Sequence, residues 1–316
     1  MADVTSEAQL ARPILAVRRR RHLKETLEGY LWASPWIIGF VVFIAGPMLV
    51  SIYLSFADYD LANAPRFIGL DNFAELLGDR LILKTLIITT LFALGTVPTG
   101  LLMGLVLAIM VNMNVRGMTF WRTVYYLPAV MPAVAYAQLW GWMFNRDFGL
   151  INAALRWLFG IQGPAWLADD HWILPSLIVM TFWGVGGSMI INLAGLQGIP
   201  THLYEAAAID GATGWSRFWA ITIPMMSPVI FFNLVIGLIG AMQAFTIIFL
   251  LTNSGQREDG MTFMIYLYKN AFGALRMGYA SALAWVLFVY ILILTLFVFR
   301  SATSWVFYEG QLQNKR

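Results

Sequence analysis

A chain of 316 residues that is 59% hydrophobic and only 12% charged, with a mean hydropathy of +0.71, carries more apolar surface than a soluble domain of this size can bury. A membrane protein is therefore expected, and the absence of cysteine excludes a disulfide framework or a cysteine metal site. The net charge of +3 is small, so where the charges lie says more than how many there are.

Residues 1–28 read as a basic tail. Arg12, the run Arg18 to Arg21, and Lys24 precede the first apolar stretch, and such a cluster is held on the cytoplasmic side. The same run suits nucleic acid or anionic lipid, but beside a membrane segment the topological reading takes precedence and no nucleic acid partner is expected. The first stretch is not expected to be a signal peptide, being about twice the usual length of roughly 7 to 15 residues and lacking a small-x-small site.

Six stretches reach the ~20 helical residues needed to cross a hydrocarbon core of roughly 30 Å. They are Leu31 to Phe56, Thr85 to Val111, Thr123 to Phe144, Ile173 to Leu196, Met225 to Leu251 and Gly278 to Phe299. The fold expected is thus all-α: a six-span membrane domain over 29–300, followed by a short tail over 301–316. None of the six contains Asp, Glu, Lys, Arg or His, and His22, His171 and His202 lie apart and outside them, which argues against a histidine metal cluster.

With six spans both termini face the cytoplasm. Twelve of the 20 Lys and Arg residues then lie inside, six of them in the leader, so orientation rests chiefly on that cluster. The outer loops, 57–84, 145–172 and 252–277, are rich in Gly, Pro, Asn and Trp, which favours compact turns. On the inside, 112–122 is a tight connection and only the segment before Pro224 is long.

That segment, "LYEAAAIDGATGWSRFWAITIP" (Leu203 to Pro224), interrupts two very apolar stretches. A carboxylate at the centre of a membrane helix costs about 3 kcal/mol, so Glu205 and Asp210 place the segment in water or among headgroups. Its pattern is two short helices: Pro200 suits a first turn, Thr201 to Ile209 are mostly good helix formers, Gly211 permits the left-handed backbone that ends a helix, and a second helix starts after Gly214. Trp215, Phe218, Trp219 and Thr222 share helical spacing, with indole rings suited to the membrane interface. The face formed by Ala206, Ala207 and Ala208 fits close docking in a groove, with Glu205 at its edge, and it equally fits a plain linker helix.

The order Glu205-Ala206-Ala207, three residues, Gly211, nine residues, Ile221, one residue, then Ile223-Pro224 resembles the EAA signature of permease subunits of bacterial ABC importers, with Ile223 where leucine is usual. "FIGLDNF" (Phe67 to Phe73), "YYLPAV", "GLIN" (Gly149 to Asn152), "FLLTNSG" and "MGYASALAW" resemble the first of the two permease subunits in carbohydrate importers of the maltose and glycerol-phosphate type. Many such relatives carry a Gly-Gly-Pro turn where this chain has "LTNSGQRE". The resemblance implies a coupling helix held in a cleft of an ATP-hydrolysing subunit, with Glu205, Ala206, Ala207, Asp210 and Gly211 making the contact and Pro224 closing the signature. It also implies a related second permease as partner, with a homodimer as the alternative, two ATP-binding subunits, an extracytoplasmic sugar-binding protein, and a place in the bacterial plasma membrane.

The chain has no G-x-x-x-x-G-K-[ST], so it is expected to be non-catalytic, without a cofactor, and driven from outside. An ion-coupled secondary carrier is the alternative, disfavoured because the spans offer no carboxylate or histidine for the coupling ion. Nothing supports a membrane-embedded enzyme. Neutral sugars are held by hydrogen-bonding side chains and aromatic faces. Such groups in the fourth and fifth stretches are Thr181, Ser188, Asn192, Asn233 and Gln243, with Trp183 and Phe245. Gly184, Gly186 and Gly187 admit either close helix contact or a ligand. The substrate path is expected at Trp183, Gly187, Ser188, Asn233, Gln243 and Phe245, although small residues in membrane helices also serve packing and a terminal Trp also marks an interface.

Overall fold

The computed structural model describes residues 24–113 and 115–307; Arg12, Arg18 to Arg21, Lys315 and Arg316 fall outside them. The described chain is helical apart from a two-residue ladder, β1 (Ala57–Asp58) paired antiparallel with β2 (Arg66–Phe67). Its helices are α1 (Lys24–Ser55), α2 (Asp71–Gly78), α3 (Arg80–Val111), α4 (Met118–Tyr126), α5 (Ala133–Met143), α6 (Leu150–Phe159), α7 (Ile173–Thr181), α8 (Gly186–Gln197), α9 (Thr201–Ile209), α10 (Gly214–Met242), α11 (Thr246–Leu251), α12 (Phe263–Tyr268) and α13 (Met277–Trp305).

Four of these, α1, α3, α10 and α13, are long and apolar enough to cross a membrane. The pair α7 and α8 meets at a 46° bend through a short 3₁₀ turn, Phe182–Gly184, and makes a fifth crossing if counted as one span. The stretch expected to cross from Thr123 to Phe144 is not one helix. It is divided into α4, a 3₁₀ turn (Leu127–Val130) and α5. Pro128 and Pro132 donate no backbone hydrogen bond, and Pro132 holds Met131 extended, with φ −68° and ψ 139°.

The stretch Met225 to Leu251 also differs from expectation. Its helix starts earlier, at Gly214, where the Thr213 hydroxyl accepts from Ser216 N at 3.3 Å. It ends at Met242, and the chain leaves the helix through Gln243 to Phe245 before α11 begins. No proline stands at this break. The nonhelical residues Ala244 and Phe245 border a cavity, the setting in which irregular backbone is tolerated at membrane depth. The second short helix read after Gly214 is therefore the first turn of a long one.

Proline shapes two of the long helices in the same way. Gly46 N donates to Val41 O just before Pro47, and Ile223 N donates to Phe218 O just before Pro224. Each bond spans five residues and closes a π turn, Val41–Ala45 or Phe218–Thr222, because the following proline has no N–H to continue the regular ladder. Pro224 thus sets the π turn within the first third of α10.

The helices converge on α3, which packs against α8, α10 and α7, while α13 packs against α1 and α10. The larger cluster of buried side chains includes Phe92, Tyr136, Trp140, Leu177, Met180, Phe263 and Leu283, and a second cluster gathers Ala108, Val111, Met189, Leu196 and Met226. The end that carries β1 and β2 is pinned by polar bonds. Asn72, within "FIGLDNF", is buried and its amide donates to Ser55 O and Ala57 O at 3.0 Å each, which satisfies carbonyls at the end of α1.

Asp79 caps α3 by accepting from Leu81 N at 2.9 Å, and also accepts from the hydroxyls of Tyr266 and Tyr279. Burial pushes the Asp79 carboxyl up, but the bonds from Tyr266, Tyr279 and Leu81 outweigh it and hold the group below its ordinary value. At the opposite end of α3, the Arg122 guanidinium donates to Val111 O at 3.0 and 2.8 Å, tightening the turn between α3 and α4.

Candidate functional site

Two features stand out, an exposed hairpin and a cavity, and α10 joins them. The hairpin begins with α9. Pro200, extended at ψ 128°, precedes the first turn, and the helix ends where Gly211 takes φ +75°. Ala212 N donates to Ala207 O at 2.9 Å and Gly211 N to Ala208 O at 3.1 Å, the paired closing bonds of a glycine-terminated helix. Glu205, Ala206, Ala208, Asp210 and Gly211 are exposed, and Ile209 is 87% exposed, so the surface of α9 is uncovered in the isolated chain.

The hairpin is nevertheless tied to the span that follows. The Tyr204 hydroxyl meets the Thr222 hydroxyl at 2.9 Å, joining the middle of α9 to the π turn ahead of Pro224. Partly buried Leu203 and Tyr204 pack on the second cluster beside Ile221 and Ile223. α9 is therefore joined to α10 by a hydrogen bond and a packed apolar contact as well as by the intervening chain.

The carboxyl half of α10, from Asn233 to Ala241, borders a cavity of about 610 Å³ that lies between α3, α7, α8, α10 and α11. Most of the lining is apolar, and no ionisable side chain contributes to it. The polar contribution comes from Thr96, Thr181, Ser188, Asn233 and Thr246. Asn233 Nδ2 donates to Asn192 Oδ1 at 3.1 Å, and Asn192 Nδ2 donates to Ser188 Oγ at 3.4 Å, a chain of amides and a hydroxyl linking α10 to α8. Ser188 in turn sits against Gly104 of α3, where a Cβ would lie 2.5 Å from its Oγ.

Of the expected path residues, Ser188, Asn233 and Phe245 line this cavity together with Thr181 and Gly184. Phe245 stacks near Phe249 and Tyr268 with centroids 5.0 Å apart in each case. Trp183, Gly187 and Gln243 are placed elsewhere. Trp183 stacks on Tyr136 at 5.6 Å and borders a separate recess with Trp142 and Phe148. Gln243 is exposed at the carboxyl end of α10, and Gly187 faces open space. Gly186 serves close contact, since a Cβ there would lie 2.5 Å from Tyr125 O. The cavity wall supplied by Thr96, Val97 and Gly100 of α3 was not anticipated; the one signal was Pro98 within an otherwise unbroken apolar helix.

Among the described residues no group of His, Asp and Glu side chains could hold a metal ion. The arrangement is a neutral, weakly polar cavity, one wall of which is the same helix that the exposed hairpin leads into.

Residues 97–304 match the family described as "Binding-protein-dependent transport system inner membrane component". The chain is 40% identical over 301 residues to the probable ABC transporter permease protein YesP of Bacillus subtilis (strain 168), covering 94% of this chain and 97% of that protein. It is 32% identical over 269 residues to the sulfoquinovosyl glycerol transport system permease protein SmoG of Agrobacterium fabrum, covering 84% and 87% respectively. Its fold is similar, with a TM-score of 0.80 and 26% identity, to a chain in the crystal structure of a bacterial alginate ABC transporter in complex with alginate pentasaccharide-bound periplasmic protein, covering 89% of this chain and 96% of that one.

Proposed function

Because this chain belongs to the family of binding-protein-dependent transport system inner membrane components, we propose that it forms half of the translocation path of an ATP-driven importer for a sugar or related polyol or oligosaccharide. The observation that carries the reading is mechanical. The alanine-faced helix α9 is exposed for a partner, and its Tyr204 anchors it to α10, which walls the cavity with Asn233, Ile236 and Gly237.

In this reading Glu205, Ala206, Ala207, Asp210 and Gly211 dock in a cleft of an ATP-hydrolysing subunit. The methyl groups let the partner approach the backbone closely, and Glu205 supplies a charge-assisted hydrogen bond. Closure of two such subunits on ATP pulls α9, and the Tyr204 to Thr222 link carries the pull into α10 and the bent pair α7 and α8. The cavity then alternates between outward and inward openings. Ser188, Asn233 and Thr181 bond sugar hydroxyls, and Phe245 offers an aromatic face. The absence of an ionisable group from the cavity lining suits a neutral solute and gives an ion-coupled carrier no protonatable site there.

Topology completes the proposal. Counting the proline-broken pair α4 and α5 and the bent pair α7 and α8 as one crossing each gives six, with both termini on the cytoplasmic side as the leader arginines direct. A related permease closes the other half of the path, and a binding protein delivers the solute from outside. The relatives' printed solutes, sulfoquinovosyl glycerol and alginate, both contain sugars, which supports a sugar as the cargo; both are anionic, so the neutrality of the solute carried here rests on the cavity lining alone. The test is uptake in cells: transport that continues under a proton uncoupler and stops on ATP depletion supports the reading, and the opposite pattern overturns it.

A further inference from the structure

A second cavity, of about 440 Å³, lies at the root of the hairpin, lined by Asn112, Tyr204, Gly214, Arg217 and Thr222 among others. It is walled by the inner ends of α3, α8 and α10, and by α9. Arg217 is partly buried there. Its Nε is fully buried and donates to no partner among the described residues, and no carboxylate forms an ion pair with the guanidinium among them. Arg217 thus lines the cavity with a guanidinium that has no carboxylate partner among the described residues, so an anionic group entering there meets an uncompensated positive charge. The neighbouring lining adds hydroxyls from Tyr204 and Thr222, the amide of Asn112, and the positive amino end of the 29-residue helix α10.

Trp215 and Trp219, on the same turns as Arg217, are 72% and 53% exposed and pack edge to face at 5.7 Å, as aromatic side chains do at headgroup level. We propose that this cavity seats the phosphate group of an anionic phospholipid, with Arg217 as its principal ligand and Asn112 as a second. Basic recesses between membrane helices bind phosphate headgroups by this chemistry. Arg217 lies only five residues before Thr222, so an occupied site braces the π turn through which the hairpin enters α10. The placement rests on the hairpin lying at a membrane surface, as the preceding reading has it, but binding needs neither nucleotide nor transport.

The test is native mass spectrometry of the full chain in micelles containing phosphatidylglycerol, phosphatidylcholine, or inorganic phosphate alone. The expected result is a phosphatidylglycerol adduct weakened about tenfold in Arg217→Gln, the scale of one hydrogen-bonded charge, and less in Asn112→Leu, which keeps the arginine. Equal adducts in the unsubstituted chain and both variants overturn the proposal, as does equally tight binding of phosphatidylcholine. Binding of inorganic phosphate without phosphatidylglycerol keeps the anion site but refutes the lipid source. Photo-crosslinking from position 217 that captures an acidic protein segment and no lipid assigns Arg217 to a protein partner instead. Because adducts form without ATP, failure here is distinguishable from failure of the transport reading.

Discussion

Replacing Gly211 with alanine isolates the conformational requirement at the end of α9. The residue has φ +75°, and a Cβ built there meets no atom within 4 Å, so the substitution adds backbone strain without collision. Holding an L-residue in the left-handed region costs about 1–2 kcal/mol. That is a factor of roughly 5–30 in the balance between the closed helix end and a frayed one. The closing bond from Ala212 N to Ala207 O reports the change directly.

Hydrogen exchange at the Ala212 amide of the detergent-solubilised chain should speed up by about that factor in Gly211→Ala. Gly211→Asn should recover much of the protection, since asparagine tolerates the left-handed region. In the assembled transporter, ATP-driven uptake should fall in the same order while membrane insertion persists. Unchanged exchange in the alanine variant, or asparagine no better than alanine, would refute the argument that backbone conformation is what the position supplies.

Three further outcomes follow from the geometry. Asp79→Ala removes the α3 cap and the acceptor for two tyrosine hydroxyls, and a cap alone contributes about 1 kcal/mol, so thermal unfolding should shift down clearly, with Asp79→Asn between it and the parent. Because the folded carboxyl lies below its ordinary value, that contribution is present at pH above the ordinary carboxylate range and is lost as pH falls through the depressed folded value; a melting temperature scanned against pH should show the loss in the parent and not in Asp79→Ala. Gly278→Ala places a Cβ 1.9 Å from Ala57 O, a contact with backbone that cannot swing away, and should cost about 3 kcal/mol, read as lost thermal stability or lost expression. Asn233→Leu removes one polar group from the cavity and strips Asn192 Oδ1 of its donor; uptake should show a KM raised about tenfold with membrane levels retained, and an unchanged KM would remove Asn233 from the path.

The elements that could be read from sequence are those fixed by local chemistry. Thr201 to Ile209 followed by Gly211 announces a helix and its end, and the structure has both at those residues. The long runs giving α3 and α13 announce themselves by hydropathy, although each helix extends beyond its run, because Arg80 and Arg300 continue the backbone ladder while their charges reach water and Lys84 does so while paired with Glu258 and Asp259. Breaks inside apolar stretches are harder. Pro128 and Pro132 mark one, but the break at Gln243 to Phe245 has no proline and depends on the cavity beside it.

That difficulty passes directly to the site. Ser188 and Asn233 lie on the regular parts of α8 and α10 and reach the cavity, while neighbouring Gly187 lies on another face of α8; at the breaks, where helical phase resets, Phe245 reaches the cavity but Trp183 and Gln243 do not. The Asp79 cluster joins residues 187 and 200 positions apart, and the sequence holds no local trace of such pairing. Arg217 was visible as the one cation of the hairpin, but its lack of a partner emerges only from packing.

The central claim is that an external ATP-hydrolysing subunit grips α9. The chain has no cysteine of its own, so Ala206→Cys gives a single reactive position on the exposed face of that helix. Cross-linking from this position in membranes of cells expressing the whole transporter should capture a nucleotide-hydrolysing subunit with a yield that changes between ATP and vanadate-trapped states. Capture of no such subunit in either state, with the cysteine shown to be accessible, contradicts the account.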